Sequence, residues 1–285
     1  MTDWIDEAEY PFDHLYSETS FGKIHYIDEG QGPLLVFIHG NPTWSFVYRD
    51  IIKSLRSDYR CIALDLLGFG LSDKPLDCDY TPQTHAKVFE SFVNTLGLKD
   101  ITLVLQDWGG PIGMSYAVNF PDNINKLVIM NTWCWSVKGD FHYEAFSRMM
   151  GGSLGQWLIR RFNIFVRLVM PKATQDKCSL TQSILNHYLH PLPTPDTRLA
   201  CAQFPRSIIE ESVWLDQIWN KMNSLKNIHT LICWGMKDIA FREKELDRWD
   251  RFFTTTDVHR FDDSGHYVQQ EKSSEIIPLI REFMG

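Results

Sequence analysis

The chain has 285 residues, 44% of them hydrophobic, enough to bury one large core, and no Pro/Gly/Ser-rich linker, repeat or low-complexity tract divides it. A formal net charge of −8 excludes a partner held by its phosphate backbone, which needs a basic patch. No apolar run approaches the ~20 residues that cross a bilayer, and Met1–Glu7 is acidic and lacks the basic and apolar parts of a signal peptide, so a cytoplasmic protein without membrane contact is expected.

Two opening runs, His14–Glu18 and Lys23–Asp28, have strand character and form a hairpin across Ser20–Gly22. Leu34–Ile38 is continuously apolar and ends at His39-Gly40, as expected of a strand buried on both faces. Cys61–Leu64, Ile101–Leu105 and Leu127–Met130 are runs of the same kind. Amphipathic stretches lie between them, such as Thr81–Leu96, where Val88, Phe92, Val93 and Leu96 share a face. Strand and helix in alternation imply a parallel sheet with helices on both sides.

The alternation stops at about Trp133. Up to Trp214 there is no convincing strand; Gly155–Met170 and Leu180–Tyr188 read as short helices. It resumes with the strand Thr230–Gly235, a helix near Arg242–Phe252, the strand Asp257–Phe261 and a closing helix Ser273–Phe283. The expected organisation is therefore an α/β core of residues 1–132 and 215–285, with eight strands, interrupted by a helical cap of residues 133–214. The six cysteines (Cys61, Cys78, Cys134, Cys178, Cys201, Cys233) are dispersed without C-x-x-C or metal-ligand spacing. Cys61 and Cys233 read as small buried thiols, and no disulfide framework is expected.

Ligands of open parallel sheets bind beyond the carboxyl ends of the strands. Asp107, in Gln106-Asp107-Trp108-Gly109-Gly110, lies two residues past the strand ending at Leu105, with two glycines opening a helix. This is the strand–turn–helix setting of a nucleophile elbow, although an Asp before a helix is by itself an ordinary N-cap. Carboxylate chemistry narrows the reaction. A carboxylate is expelled from a tetrahedral intermediate more easily than an alkoxide, so it suits displacement at sp³ carbon, giving an alkyl ester. That points to carbon–halogen bonds or epoxides.

His266, in Ser264-Gly265-His266, follows the last strand, where the base stands in the chain order nucleophile, acid, histidine. Asp238, in Trp234-Gly235-Met236-Lys237-Asp238, is placed to orient that base; Asn131-Thr132 offers no carboxylate after the preceding strand. Asn41, in His39-Gly40-Asn41-Pro42-Thr43-Trp44, sits on the loop that supplies an oxyanion-hole donor, with the Trp108 backbone N–H as the other. Asn-Pro is also a common turn initiator. The Asn41 amide and the Trp108 indole N–H are both able to donate to a leaving halide. The glycines of Asp65–Asp73 lack dinucleotide-binding spacing and read as a structural loop, and His39 reads as a residue that orders its own turn. Neither a metal nor any other cofactor is implied.

These four motifs, spread in order over nearly the whole chain, resemble those of haloalkane dehalogenases. The resemblance implies an α/β-hydrolase fold and hydrolysis of a small apolar halogenated substrate to alcohol, halide and proton. It assigns Asp107 as nucleophile, His266 as base, Asp238 as acid, and Asn41 and Trp108 as halide donors. Asn131-Thr132-Trp133 with the acid at Asp238 looks like the third subfamily, since the second places a Glu near 131–132 and the first takes a second donor Trp from the cap. Cap segments Phe146–Met150 and Arg160–Asn163 agree, and the third subfamily's self-association makes a homo-oligomer an expectation. Trp133, Trp135, Phe141, Phe146, Phe165 and Phe204 are candidates for lining the pocket; Trp133, Trp135 and Trp157 are candidates for a further halide contact. The rival readings are an epoxide hydrolase, which needs cap tyrosines such as Tyr143 and Tyr188, and a non-catalytic ligand-binding homologue.

Overall fold

A computed structural model describes residues 3–285; Met1 and Thr2, where the N-terminal reading begins, lie outside the described residues. The eight strands are β1 Leu15–Thr19, β2 Gly22–Glu29, β3 Leu34–Ile38, β4 Arg60–Leu64, β5 Ile101–Gln106, β6 Ile124–Met130, β7 Thr230–Gly235 and β8 Thr256–Phe261. They form one sheet in the order β1-β2-β4-β3-β5-β6-β7-β8, in which β2 runs antiparallel to both neighbours and all other pairs are parallel. The expected α/β-hydrolase architecture is therefore present, with each predicted strand found within a few residues.

The continuous apolar runs are strands because both sheet faces are covered. Val36 and Ile38 point into one core cluster, and Leu35 and Phe37 into the other. Each such side chain removed from water contributes roughly 1.5–3 kcal/mol. Helices α1 Arg49–Leu55, α2 Pro82–Leu96 and α3 Gly109–Asn119 supply these layers on the N-terminal side. Thr81 caps α2 by accepting the Thr84 N–H, with Pro82 in the first turn and Gly97 left-handed at its end.

Between β6 and β7 lie α4 Phe141–Gly151, α5 Ser153–Phe162, α6 Met170–Ala173, α7 Gln182–Leu189, α8 Leu199–Glu210 and α9 Ser212–Lys221. The single helix expected over Gly155–Met170 is in fact broken. Asn163 closes α5 in the left-handed conformation (φ 53°), a π-type turn follows at Phe165–Val169, and only then does α6 begin. The cap boundary expected at 214 falls inside α9, which packs on α3, so the helix returning to the sheet layer starts at Ser212. The remaining helices are α10 Glu243–Phe252, α11 Val268–Glu271 and α12 Ser273–Met284.

No helix among the described residues is long and apolar enough to cross a membrane. All six cysteines are free thiols; Cys61, Cys134, Cys201 and Cys233 are buried. The Asp65–Asp73 loop folds around the Asp65 carboxylate, which accepts the N–H groups of Ser45 and Leu71 and pairs with His25. His39 orders its own turn: Nδ1 donates to the Gly40 carbonyl and Nε2 accepts the Leu66 N–H.

Candidate active site

Parallel strands β3, β5, β6 and β7 end at one edge of the sheet, and each delivers a residue there. After β5 the chain turns sharply into α3, forcing Asp107 to φ 49°, a left-handed conformation that an L side chain adopts only when its surroundings impose it. Two hydrogen bonds impose it. The Asp107 N–H donates to the Asn131 carbonyl (3.1 Å), and the Thr132 hydroxyl donates to the Asp107 carbonyl (2.5 Å). α3 then passes so close to β3 that a Cβ on Gly109 would lie 2.1 Å from the Ile38 carbonyl oxygen, so only glycine fits.

The turn presents the Asp107 carboxylate with its two oxygens in different surroundings. Oδ1 accepts the Asn41 backbone N–H at 2.7 Å, and the Trp108 backbone N–H lies near the carboxylate. Oδ2 lies 3.7 Å from His266 Nε2. Burial raises the carboxyl above its ordinary range, while His266 and the two backbone N–H groups oppose that shift.

His266 Nδ1 donates to Asp238 Oδ2 at 2.9 Å, leaving Nε2 turned toward Asp107, with the Gln106 amide nitrogen 3.1 Å away. Burial pushes the imidazole down, but the Asp238 carboxylate, its hydrogen bond and Asp107 outweigh it and raise the pKa to about 9. Asp238 is in turn fixed by two donors, the Ala240 N–H (2.7 Å to Oδ1) and the Asn131 amide (2.9 Å to Oδ2). Asn131, at the end of β6, thus stands where a carboxylate was sought and not found; its side chain clamps Asp238 and also exchanges two hydrogen bonds with the Gly235 backbone. Sequence reasoning missed that role because it asked only whether the position held an acid.

Asn41 and Trp108 reach the same pocket as Asp107 and His266. The Asn41 amide donates one N–H to the Cys201 carbonyl (3.2 Å), and the Trp108 indole N–H has no protein acceptor among the described residues. Of the six aromatics considered for the lining, Trp133, Phe146 and Phe165 line the pocket and three do not. Trp135 packs edge-on against Trp219 and Trp249. Phe141 is 85% exposed. Phe204 lies behind Trp108, stacked on it at 5.2 Å and on Phe69 at 5.4 Å. Trp133 Nε1 is buried without a partner, whereas Trp157 is 53% exposed on α5 and outside the pocket.

The remaining wall includes Tyr143, Ile239, Ala240, Phe241 and Tyr267. Several adjoin motif residues in the chain: Tyr267 follows His266, and Ile239–Phe241 follow Asp238. That adjacency was a usable signal. The walls are mostly hydrocarbon and aromatic, with the polar groups converging on Asp107.

The model of the α/β hydrolase fold matches residues 33–273. Haloalkane dehalogenase 2 of Mycobacterium tuberculosis strain H37Rv is 38% identical over 282 residues, covering 98% of this chain and 98% of that protein. The chain belongs to the haloalkane dehalogenase family. A cis-3-alkyl-4-alkyloxetan-2-one decarboxylase of Shewanella oneidensis is also similar, 34% identical over 96% of this chain and 89% of its own length. The crystal structure of the haloalkane dehalogenase DatA from Agrobacterium tumefaciens C58 superposes with a TM-score of 0.86 over 98% of both chains at 24% identity, a likeness of fold.

Proposed function

We propose that Asp107 and His266 carry the hydrolysis of small apolar haloalkanes to alcohol, halide and proton. As a haloalkane dehalogenase homologue the chain is a hydrolase acting on carbon–halide bonds; the residue roles are read from the site. One observation carries them: within an apolar pocket, Asp107 Oδ1 accepts the Asn41 backbone N–H while Oδ2 faces His266 Nε2 at 3.7 Å.

Asp107 Oδ2 forms a bond to the sp³ carbon as the carbon–halogen bond breaks, and the halide leaves with the electron pair. The Asn41 amide and the Trp108 indole donate to the departing ion, and one such donor is worth on the order of 3 kcal/mol. Ester formation removes the negative charge from Asp107, one of the groups that hold the imidazole protonated, so the His266 pKa falls in the intermediate. The neutral Nε2 then takes a proton from water, whose oxygen attacks the ester carbonyl. The oxyanion forms on Oδ1, where the Asn41 backbone N–H already stands. Collapse expels the alkoxide, which takes the proton of the added hydroxyl and leaves as alcohol, so the carboxylate is restored, and Asp238 stabilises the imidazolium until its proton passes to solvent. The chemistry draws on no metal or cofactor.

The placement of the acid just after β7, with Asn131 after β6, supports the third-subfamily reading. A cytoplasmic setting is proposed with it. So is self-association through exposed apolar side chains of the cap, Met149, Leu154, Trp157 and Phe162; a monomer by analytical ultracentrifugation at micromolar concentration removes that part. The epoxide reading asks for two cap phenols in the pocket, but Tyr188 bonds Gln270 outside it.

The decisive test is a substrate panel. 1,2-Dibromoethane and 1-iodobutane are expected to yield halide and acid. Turnover of styrene oxide or a cis-3,4-dialkyl oxetan-2-one, with no halide released from any haloalkane, would overturn the proposal. With His266→Phe and 1-iodobutane, a butyl adduct on the Asp107 peptide is expected by mass spectrometry, and an adduct elsewhere refutes the assignment.

A further inference from the structure

We propose that Glu271 is a positioning residue for His266, tying the catalytic loop to the base of the cap. Nothing in the reaction uses this carboxylate directly, yet it is only 9% exposed and sits on α11, five residues after the base. Its Oε1 accepts the Gly265 N–H at 3.1 Å. Its Oε2 accepts the N–H groups of Gln175 and Asp176, at 2.8 and 2.9 Å. Burial raises its carboxyl above the ordinary range, and the three backbone donors that meet it oppose that shift.

The two segments joined in this way touch directly as well. The His266 N–H donates to the Ala173 carbonyl at 3.0 Å, and a Cβ on Gly265 would lie 2.2 Å from the same oxygen. Ala173 ends α6 and lines the substrate pocket together with Phe165 and Val169 of the preceding turn. The neighbouring Gln270 repeats the pattern, donating to the Ser179 carbonyl (3.0 Å) and accepting from the Tyr188 hydroxyl, both on the cap. The cap wall that touches substrate and the loop that carries the base are thus one hydrogen-bonded unit, with Glu271 at its centre. Displacement of the wall is transmitted to the imidazole that must meet the ester carbonyl.

The charge also faces the imidazole. His266 is faced by Asp238 from the β7 loop, Asp107 from the β5 turn and Glu271 from α11, each favouring its protonated form. Asp176 of the cap faces Glu271. Glu271→Gln keeps the volume but turns one oxygen into an N–H₂ group against backbone donors and removes the charge. Two effects separate it from a merely structural change. Ester hydrolysis slows while ester formation does not, and the pH limb for hydrolysis moves to lower pH because the imidazolium loses one stabilising charge.

The inference rests on the reading of His266 as the base. The experiment is single-turnover stopped flow with 1-iodobutane on wild type, Glu271→Gln, Glu271→Asp and His266→Phe across pH. For Glu271→Gln, alkyl-enzyme hydrolysis is expected to fall about tenfold, the penalty of a small misplacement, with halide release within about twofold of wild type and the pH limb shifted down. Glu271→Asp retains the charge, so its rate falls while its pH limb stays, which keeps the test intact should the Gln variant not fold. Hydrolysis at the wild-type rate in both variants, or a parallel loss in both steps with an unmoved limb, overturns the proposal. If instead His266→Phe fails to accumulate alkyl-enzyme, the base assignment itself has failed.

Discussion

The sheet edge and the cap face each other across the pocket, and different physics holds them in place. At the edge, each functional group is fixed by directional hydrogen bonds between short loops: Asp107 through Asn131 and Thr132, His266 through Asp238, Asp238 through Asn131. On the cap side, the wall of Phe146, Phe165, Val169 and Ile208 is placed by helix packing, without directional restraint on its side chains. The edge is built to fix one geometry, as a reaction with in-line displacement requires. The cap is built to fill volume, which tolerates exchange of one apolar shape for another. Under the proposed roles the edge sets the chemistry and the cap side chains set substrate choice, while the cap backbone at Ala173 is hydrogen-bonded to the His266 loop.

The sharpest way to break this division is Asp238→Asn, which leaves the shape of the site but disturbs the His266 tautomer and its charge. The rate of ester hydrolysis is expected to fall on the order of 10⁴-fold, as in other oriented bases, with substrate binding little changed; a comparable loss for substrates of every size is required. The pH behaviour gives a second reading. His266 is raised from 6.5 to about 9 in the folded protein, so its pairing stabilises the fold fully below pH 6.5 and that contribution is lost as pH rises through about 9. Urea midpoints of the wild type should decline over that window, and those of Asp238→Asn should be flatter.

Next comes Trp108→Phe, which removes one N–H and keeps an aromatic ring against Phe204. Halide release should slow about 10²-fold, measured by single-turnover halide detection, with ester hydrolysis far less affected. Equal slowing of both steps would place the indole in packing alone.

Smaller effects are expected from the cap. Phe165→Ala should re-rank 1-halo-alkanes of increasing chain length by about tenfold in kcat/KM without moving the pH limb of hydrolysis. A uniform loss across the series would mean that this side chain serves the chemistry rather than the choice. Smallest of all is Phe141→Ser, within about 0.5 kcal/mol of wild-type stability, since that ring is exposed. Phe204→Ala, by contrast, should cost about 3–5 kcal/mol by chemical denaturation, because Phe204 is fully buried between Trp108 and Phe69.

The same division explains what could be read in the chain. Strands buried on both faces appear as apolar runs, and a side chain carried on a tight strand–helix turn demands glycines beside it, so Asp107 and its helix were visible as a local pattern. His266 and Asp238 followed from their place after the last two parallel strands. Asn131 did not, because its role is a side-chain bond across 107 residues to a group whose position only the sheet order defines. The cap aromatics failed for a related reason. Phe141, Phe146 and Phe165 are the same residue type in similar helical contexts, and only packing sends one to solvent and two to the pocket. Asn163 breaks the helix expected over Gly155–Met170, a small polar residue whose left-handed conformation an apolar periodicity does not register.

Under the proposed mechanism, the unequal treatment of the two Asp107 oxygens makes the nucleophile a part that is renewed in use. Oδ1, gripped by backbone, stays with the protein through both steps, whereas Oδ2 departs in the alcohol and is replaced by the oxygen of water. After a single turnover in H₂¹⁸O the product is unlabelled and the heavy atom resides in the Asp107 peptide; it reaches the alcohol only in the next cycle. The carboxylate thus keeps an isotopic memory of one previous event, and the product of each reaction carries an atom that was, moments before, part of the enzyme.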